Sequence, residues 1–137
     1  MHKGYLRLAV LLGALAVILG AFGAHGLKKI APENAVAIFE TGVRYQFYHV
    51  FAIALTAILW KEFPNKWIER AGVVFLIGII LFSGSIYTLT WLISANITGA
   101  RWIGPLTPTG GIFLIAGWLC LAMGIKAETK KPGSPQV

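Results

Sequence analysis

The sequence predicts an all-α integral membrane protein: a four-helix bundle with an amphipathic interfacial helix ahead of the second span. Three observations predict it. The 137 residues are 57% hydrophobic but only 12% charged, about half the charge of a soluble domain. Four long apolar segments follow one another with short polar breaks, as bilayer crossings require. The 12 Lys and Arg residues gather at the ends of those segments, as the positive-inside rule describes. At ~20 residues per crossing, this length holds one domain and no separate soluble catalytic unit. The expected division is a four-helix transmembrane domain over 1–127 and a disordered cytoplasmic tail over 128–137, where Pro132, Gly133 and Pro135 disfavour order.

The first segment runs from Tyr5 to Ala24. Lys3 just ahead of it and Arg7 near its start give it the look of a secretory signal. It is long for that role, and Ala9, Gly13, Ala16, Gly20 and Ala24 share one helical face, which suits close packing in lipid. The second segment, Tyr45 to Trp60, would make a helix of only ~24 Å, short against a ~30 Å hydrocarbon core. Its helix therefore begins earlier. Pro32 suits a helix start and Glu33 suits its first turn. Between Pro32 and Arg44, Val36, Phe39 and Val43 line one side. This is an interfacial amphipathic helix that bends at Gly42 and enters the membrane, or else the start of one long tilted helix. The third segment spans Ala71 to Ala95 and the fourth Ile103 to Ile125. On the fourth, Gly110, Gly117 and Gly124 recur every seven residues, a seam equally suited to oligomer contacts and to packing within the chain.

Four crossings put both termini on one side. That side holds Lys3, Arg7, Lys61, Lys66, Arg70, Lys126, Lys130 and Lys131; the other holds Lys28, Lys29, Arg44 and Arg101. The imbalance places both termini in the cytoplasm. The same dispersal argues against nucleic acid, which needs a continuous basic stripe. Cys120 is alone, so no intrachain disulfide is possible. A possible duplication relates Thr41-Gly42-Val43-Arg44-Tyr45 to Thr98-Gly99-Ala100-Arg101-Trp102. Convergence on one interfacial design, with Gly at a bend, Arg to head groups and an aromatic anchor, explains the match equally well.

The uncharged polar residues crowd the outer half. Gln46 and His49 lie inside span two beside Tyr45 and Tyr48, His25 closes span one, Ser83, Ser85 and Tyr87 lie on span three, and Thr107 opens span four. Polar groups at membrane depth are costly and often functional. The candidate contact set for a ligand or lipid is His25, Arg44, Tyr45, Gln46, His49, Ser83, Ser85, Tyr87 and Arg101. One reading is hydrogen bonding between helices. Another is a site for lipid head groups or a membrane protein partner, with Arg44 and Arg101 supplying charge. A third takes His25 and His49 as axial ligands of a haem at similar depth, or as proton carriers in a small transporter or channel. Hydrolysis is disfavoured: the chain has no Asp, and nothing orients a His as base for Ser83 or Ser85. No catalytic residue, resident cofactor or metal is expected. The partners expected are the lipid bilayer and a membrane protein or second copy.

Four ordered motifs carry a resemblance. Gly20-Ala21-Phe22-Gly23-Ala24-His25-Gly26-Leu27, Thr41-Gly42-Val43-Arg44-Tyr45-Gln46-Phe47-Tyr48-His49, Phe82-Ser83-Gly84-Ser85-Ile86-Tyr87 and Gly104-Pro105-Leu106-Thr107-Pro108-Thr109-Gly110-Gly111 resemble the YgdD/YwdK-like family of small integral membrane proteins, which has a eukaryotic transmembrane relative. Leu106 and Thr109 are a minor departure around the Thr-Pro motif. The resemblance implies a multi-pass bacterial inner-membrane protein of about four helices. It implies no reaction, because the family's function is unknown. Its motifs coincide with the outer polar cluster.

Overall fold

The structure, a computed structural model, describes residues 1–126. The expected tail over 128–137 lies outside the described residues. Four helices follow in order: α1 (Lys3–His25), α2 (Glu33–Leu59), α3 (Lys66–Ser94) and α4 (Leu106–Lys126). Short 3₁₀ turns, Leu27–Lys29 and Ala100–Ile103, lead into α2 and α4. The described residues contain no strand.

Local chemistry sets the helix ends. The His2 ring accepts the Tyr5 N–H at 3.3 Å and opens α1. Pro32 precedes α2 with Glu33 in its first turn. Asn65 caps α3, its Oδ1 accepting from the N–H groups of Trp67 and Ile68. After α3 the chain turns through two left-handed residues, Asn96 (φ 54°) and Gly99 (φ 97°), types that tolerate that region.

The amphipathic stretch from Glu33 and the second apolar segment form one helix, unbroken through Gly42. Gly42 is used for close approach: a Cβ there would meet Ile86 at 2.9 Å and Tyr87 at 3.0 Å. The counterpart motif at Thr98–Trp102 is a turn and not a helix, with Gly99 left-handed. The two pentapeptides therefore share residues without sharing a backbone, and the structure lends no support to a duplication.

Packing runs between consecutive helices, α1 on α2, α2 on α3 and α3 on α4. The α3–α4 pair keeps a strict antiparallel register. A Cβ at Gly110 would fall on the Phe82 backbone, one at Gly117 on the Phe75 ring and one at Gly124 on Ile68. Seven residues forward on α4 match seven residues back on α3. Between them Leu114 occupies the place that a side chain at Gly78 would take. The glycine seam of the fourth span thus serves packing within the chain. The α1–α2 pair has the same heptad register, Gly13 facing Val50 and Gly20 facing Val43, but more loosely, since a Cβ at either would make an ordinary contact of 3.4 or 3.5 Å. Ala9, Ala16 and Gly23 are buried on α1, but Ala24 is exposed, because Gly23 is the residue that meets Phe39.

The core lies where α2, α3 and α4 meet, around Ile53, Ile68, Phe75, Ile79, Leu114 and Leu121. The outside is apolar too, with Val10, Leu11, Ile18, Phe51, Ile80, Ile112, Ile115 and Leu119 exposed. A surface this apolar is matched to hydrocarbon and not to water. Three helical stretches, Lys3–Lys29, Lys66–Ser94 and Arg101–Lys126, are long and apolar enough to cross a bilayer. α2 falls outside that set because Arg44, Gln46 and His49 dilute its apolar run.

The packing also defines two ends. At one, the His2 N–H donates to the Ala57 carbonyl, Tyr5 Oη to the Glu69 carbonyl, and Asn65 Nδ2 to the Gly124 carbonyl. This near end gathers the starts of α1 and α3 and the finishes of α2 and α4. The far end holds His25 and both 3₁₀ turns, and the polar cluster lies between that end and the middle of the bundle.

A tied polar cluster with an exposed cationic rim

The structure divides the nine candidate residues into two groups. Gln46, His49, Ser83 and Ser85 are buried and Tyr87 is half-buried. His25, Arg44, Tyr45 and Arg101 are exposed.

The buried group is a set of ties between helices. Gln46, 2% exposed, lies where α1, α2 and α3 come together. Its Nε2 donates to the Leu12 carbonyl at 2.9 Å, and its Oε1 accepts from Tyr87 Oη at 2.8 Å. One side chain therefore links three helices. Ser83 Oγ donates to the Gly42 carbonyl at 2.7 Å, a bond that the bare Gly42 backbone makes reachable. Ser85 Oγ donates to the Phe82 carbonyl at 2.9 Å and lies 2.6 Å from Thr107 Oγ1. A hydroxyl has one proton, so Thr107 is the donor to Ser85, and α3 is tied to α4.

His49 ties α2 to α4. Its Nδ1 lies 2.7 Å from the Tyr45 carbonyl, and the Trp118 indole donates to its Nε2 at 3.3 Å. A carbonyl only accepts and an indole N–H only donates. Both bonds together require the neutral Nδ1–H tautomer. The ring sits among Tyr45, Phe75 and Trp118, with centroids 5.7–6.2 Å away. Iron binding at Nε2 would displace the indole.

His25 is not at the depth of His49. It ends α1 and bonds locally to the Ala21 carbonyl at 3.2 Å. Gly23, two residues before it, meets Phe39. Phe39 lies ten residues before His49 on α2, ~15 Å along the axis. The expectation of similar depth is corrected here, and the two rings cannot share one iron. The reason is the register: antiparallel neighbours put His25 level with the beginning of α2.

The exposed group lies on the outside of the half of the bundle toward the far end, and forms its rim of charge and aromatic rings. Tyr45 is 39% exposed and lies on Phe82, ring centroids 4.7 Å apart, with Tyr48 at 6.0 Å. Arg101 follows the Gly99 turn and stands beside Trp102, 66% exposed. Trp91 on α3 is equally exposed. Aromatic rings with cations at helix ends suit the boundary between hydrocarbon and head groups.

Two partners were not singled out from the sequence. Trp118 reads as another apolar residue of the fourth span, yet its indole N–H needs an acceptor, and a mid-span Trp was the signal for one. The Leu12 carbonyl gave no signal, since every residue carries one. One buried hydroxyl, Thr90 Oγ1, has no partner among the described residues.

Comparison with known proteins agrees with this membrane reading. The model of the family described as "Protein of unknown function (DUF423)" matches residues 19–111. A UPF0382 membrane protein of Haemophilus influenzae is 42% identical over 90% of this chain and 94% of its own. The UPF0382 membrane protein YwdK of Bacillus subtilis is 35% identical over 86% of this chain and 95% of its own. The UPF0382 inner membrane protein YgdD of Escherichia coli is 34% identical over 85% of this chain and 84% of its own. No solved structure matches the chain.

Proposed function

The chain belongs to the DUF423 family of UPF0382 membrane proteins, and from that premise we propose that it is a non-enzymatic inner-membrane protein acting through lipid partners at its outer rim. The observation that carries this reading is the division of the polar cluster. Gln46, His49, Ser83, Ser85 and Tyr87 are engaged by backbone carbonyls and by one another or other side chains, while Arg44, Tyr45 and Arg101 are left facing outward. A closed interior offers no path for a solute, and an exposed cationic and aromatic rim is suited to phosphate head groups.

The topology belongs to the same proposal. α2 returns the chain from the far end to the near end between α1 and α3. If those neighbours cross the bilayer, α2 crosses with them, for a total of four. The first turns of α2 lie at the interface, where Glu33, Glu40 and Arg44 meet water or head groups. The near end carries Lys3, Arg7, Lys61, Lys66, Arg70 and Lys126, which supports a cytoplasmic near end and cytoplasmic termini.

Spin-labelled lipids test the function. In proteoliposomes the protein should hold anionic phospholipid at its boundary in preference to zwitterionic. The double change Arg44→Gln with Arg101→Gln should lower that preference about fivefold for each Arg that contacts a head group, at ~1 kcal/mol each. An unchanged preference refutes the reading.

A further inference from the structure

We propose that the cleft between α3 and the turn ahead of α4 holds one acyl chain of an anionic phospholipid, with the phosphate at Arg101. The inference rests on the lipid reading above and names its site. The cleft measures about 300 Å³. Ile80, Leu81 and Gly84 of α3 form one wall, and Trp102, Ile103 and Leu106 form the other.

Three observations select hydrocarbon as the occupant. First, the two hydroxyls on the α3 side are already engaged. Thr88 Oγ1 donates to the Gly84 carbonyl at 2.9 Å, and Ser85 is bonded to Phe82 and Thr107. A polar ligand would find no free hydrogen on them, whereas a methylene chain needs none. Second, the dimensions fit. From Ile80 to Thr88 the groove follows α3 for ~12 Å, most of the ~15 Å depth of one leaflet. Third, the charge is placed for a head group. Thr88 marks the far end of the groove, and the exposed Arg101 directly precedes the exposed wall residue Trp102. A chain lying in the groove brings its own phosphate to that level. Gly84 keeps the cleft open, for a Cβ built on it meets nothing within 4 Å.

That bare glycine supplies the decisive variant. Gly84→Leu puts its side chain into the cleft from a position whose Cβ meets nothing within 4 Å, so the fold should survive; an unchanged melting temperature and circular dichroism check this. Purified protein is equilibrated with phosphatidylglycerol or phosphatidylcholine of identical chains, delipidated stepwise in detergent and weighed by native mass spectrometry. The wild type should keep one phospholipid, phosphatidylglycerol in about fivefold preference. Gly84→Leu should lose the retained lipid of either kind. Arg101→Gln should keep one lipid without the preference. Lys61→Gln, at the opposite end of the bundle, should behave as wild type. A folded Gly84→Leu protein that retains lipid as the wild type does overturns the groove. So does a wild type that keeps no stoichiometric lipid yet still selects anionic spin label, an outcome that spares the rim reading. Loss of both retention and selectivity in the wild type overturns both.

Discussion

Gln46 shows what a single polar residue does at membrane depth. In lipid no water is present to compensate an unpaired amide, so its position follows from its partners, the Leu12 carbonyl and Tyr87 Oη. Tyr87→Phe removes the donor and leaves Oε1 of Gln46 buried and unpaired. The expected loss is ~0.6 to 1.7 kcal/mol, the range for hydrogen bonds between membrane helices. Thr90→Val is the contrasting change, since it deletes a buried hydroxyl that has no partner among the described residues. It should be neutral or stabilising. Thermal unfolding of both variants in one detergent reads the difference. Gln46, His49, Ser83 and Ser85 were legible as unusual residues in an apolar sequence, and that part of the cluster could be found by composition alone. Their roles were not legible. Whether a polar side chain is free or tied depends on backbone carbonyls and on helix register, and neither is written in residue types. The same limit explains the histidines, which look paired in sequence and stand ~18 Å apart along the bundle.

At the scale of the helix, glycine is the organising residue. The heptad seam on α4 was visible in the sequence as a face permitting close approach, but spacing does not say whose face it meets. The structure gives the answer through matched steps on α3, with Gly110 at the Phe82 backbone and Gly117 at the Phe75 ring. Gly110→Ala must therefore push α3 and α4 apart, at an expected cost of ~1 to 3 kcal/mol for overpacking. Gly84→Ala, on the same hairpin but with open space before it, should cost nothing and gains helix propensity. Comparing the two melting temperatures separates crowding from any general effect of adding a methyl group. The helix count and three of the spans followed from apolar length. The unbroken course of α2 through Gly42 did not, because a glycine that bends a helix and one that admits a neighbour look alike in sequence.

For the molecule as a whole, the placement of charge is the informative quantity. Lys3, Arg7, Lys61, Lys66, Arg70 and Lys126 collect at the near end, where α1 begins and α4 finishes, while Lys28, Lys29, Arg44 and Arg101 lie toward the other. With Cys120 replaced by Ser, a cysteine at Glu62 should react with an impermeant maleimide only after cells are opened. A cysteine at Ile97, which is 52% exposed, should react in intact cells. The opposite pattern inverts the molecule, and reaction of both positions from one side rules out an odd number of crossings between them. Loss of the assignment would move the rim to the cytoplasmic leaflet, where anionic lipid is also present, without altering the bundle.

The matched glycine steps between α3 and α4 carry a mechanical consequence. A slip by one turn, ~5.4 Å, would take Leu114 off Gly78 and drive side chains into backbone. The hairpin cannot telescope. A bilayer that thins or thickens must be met by leaning the whole plank, so its length is fixed and its angle is the free variable.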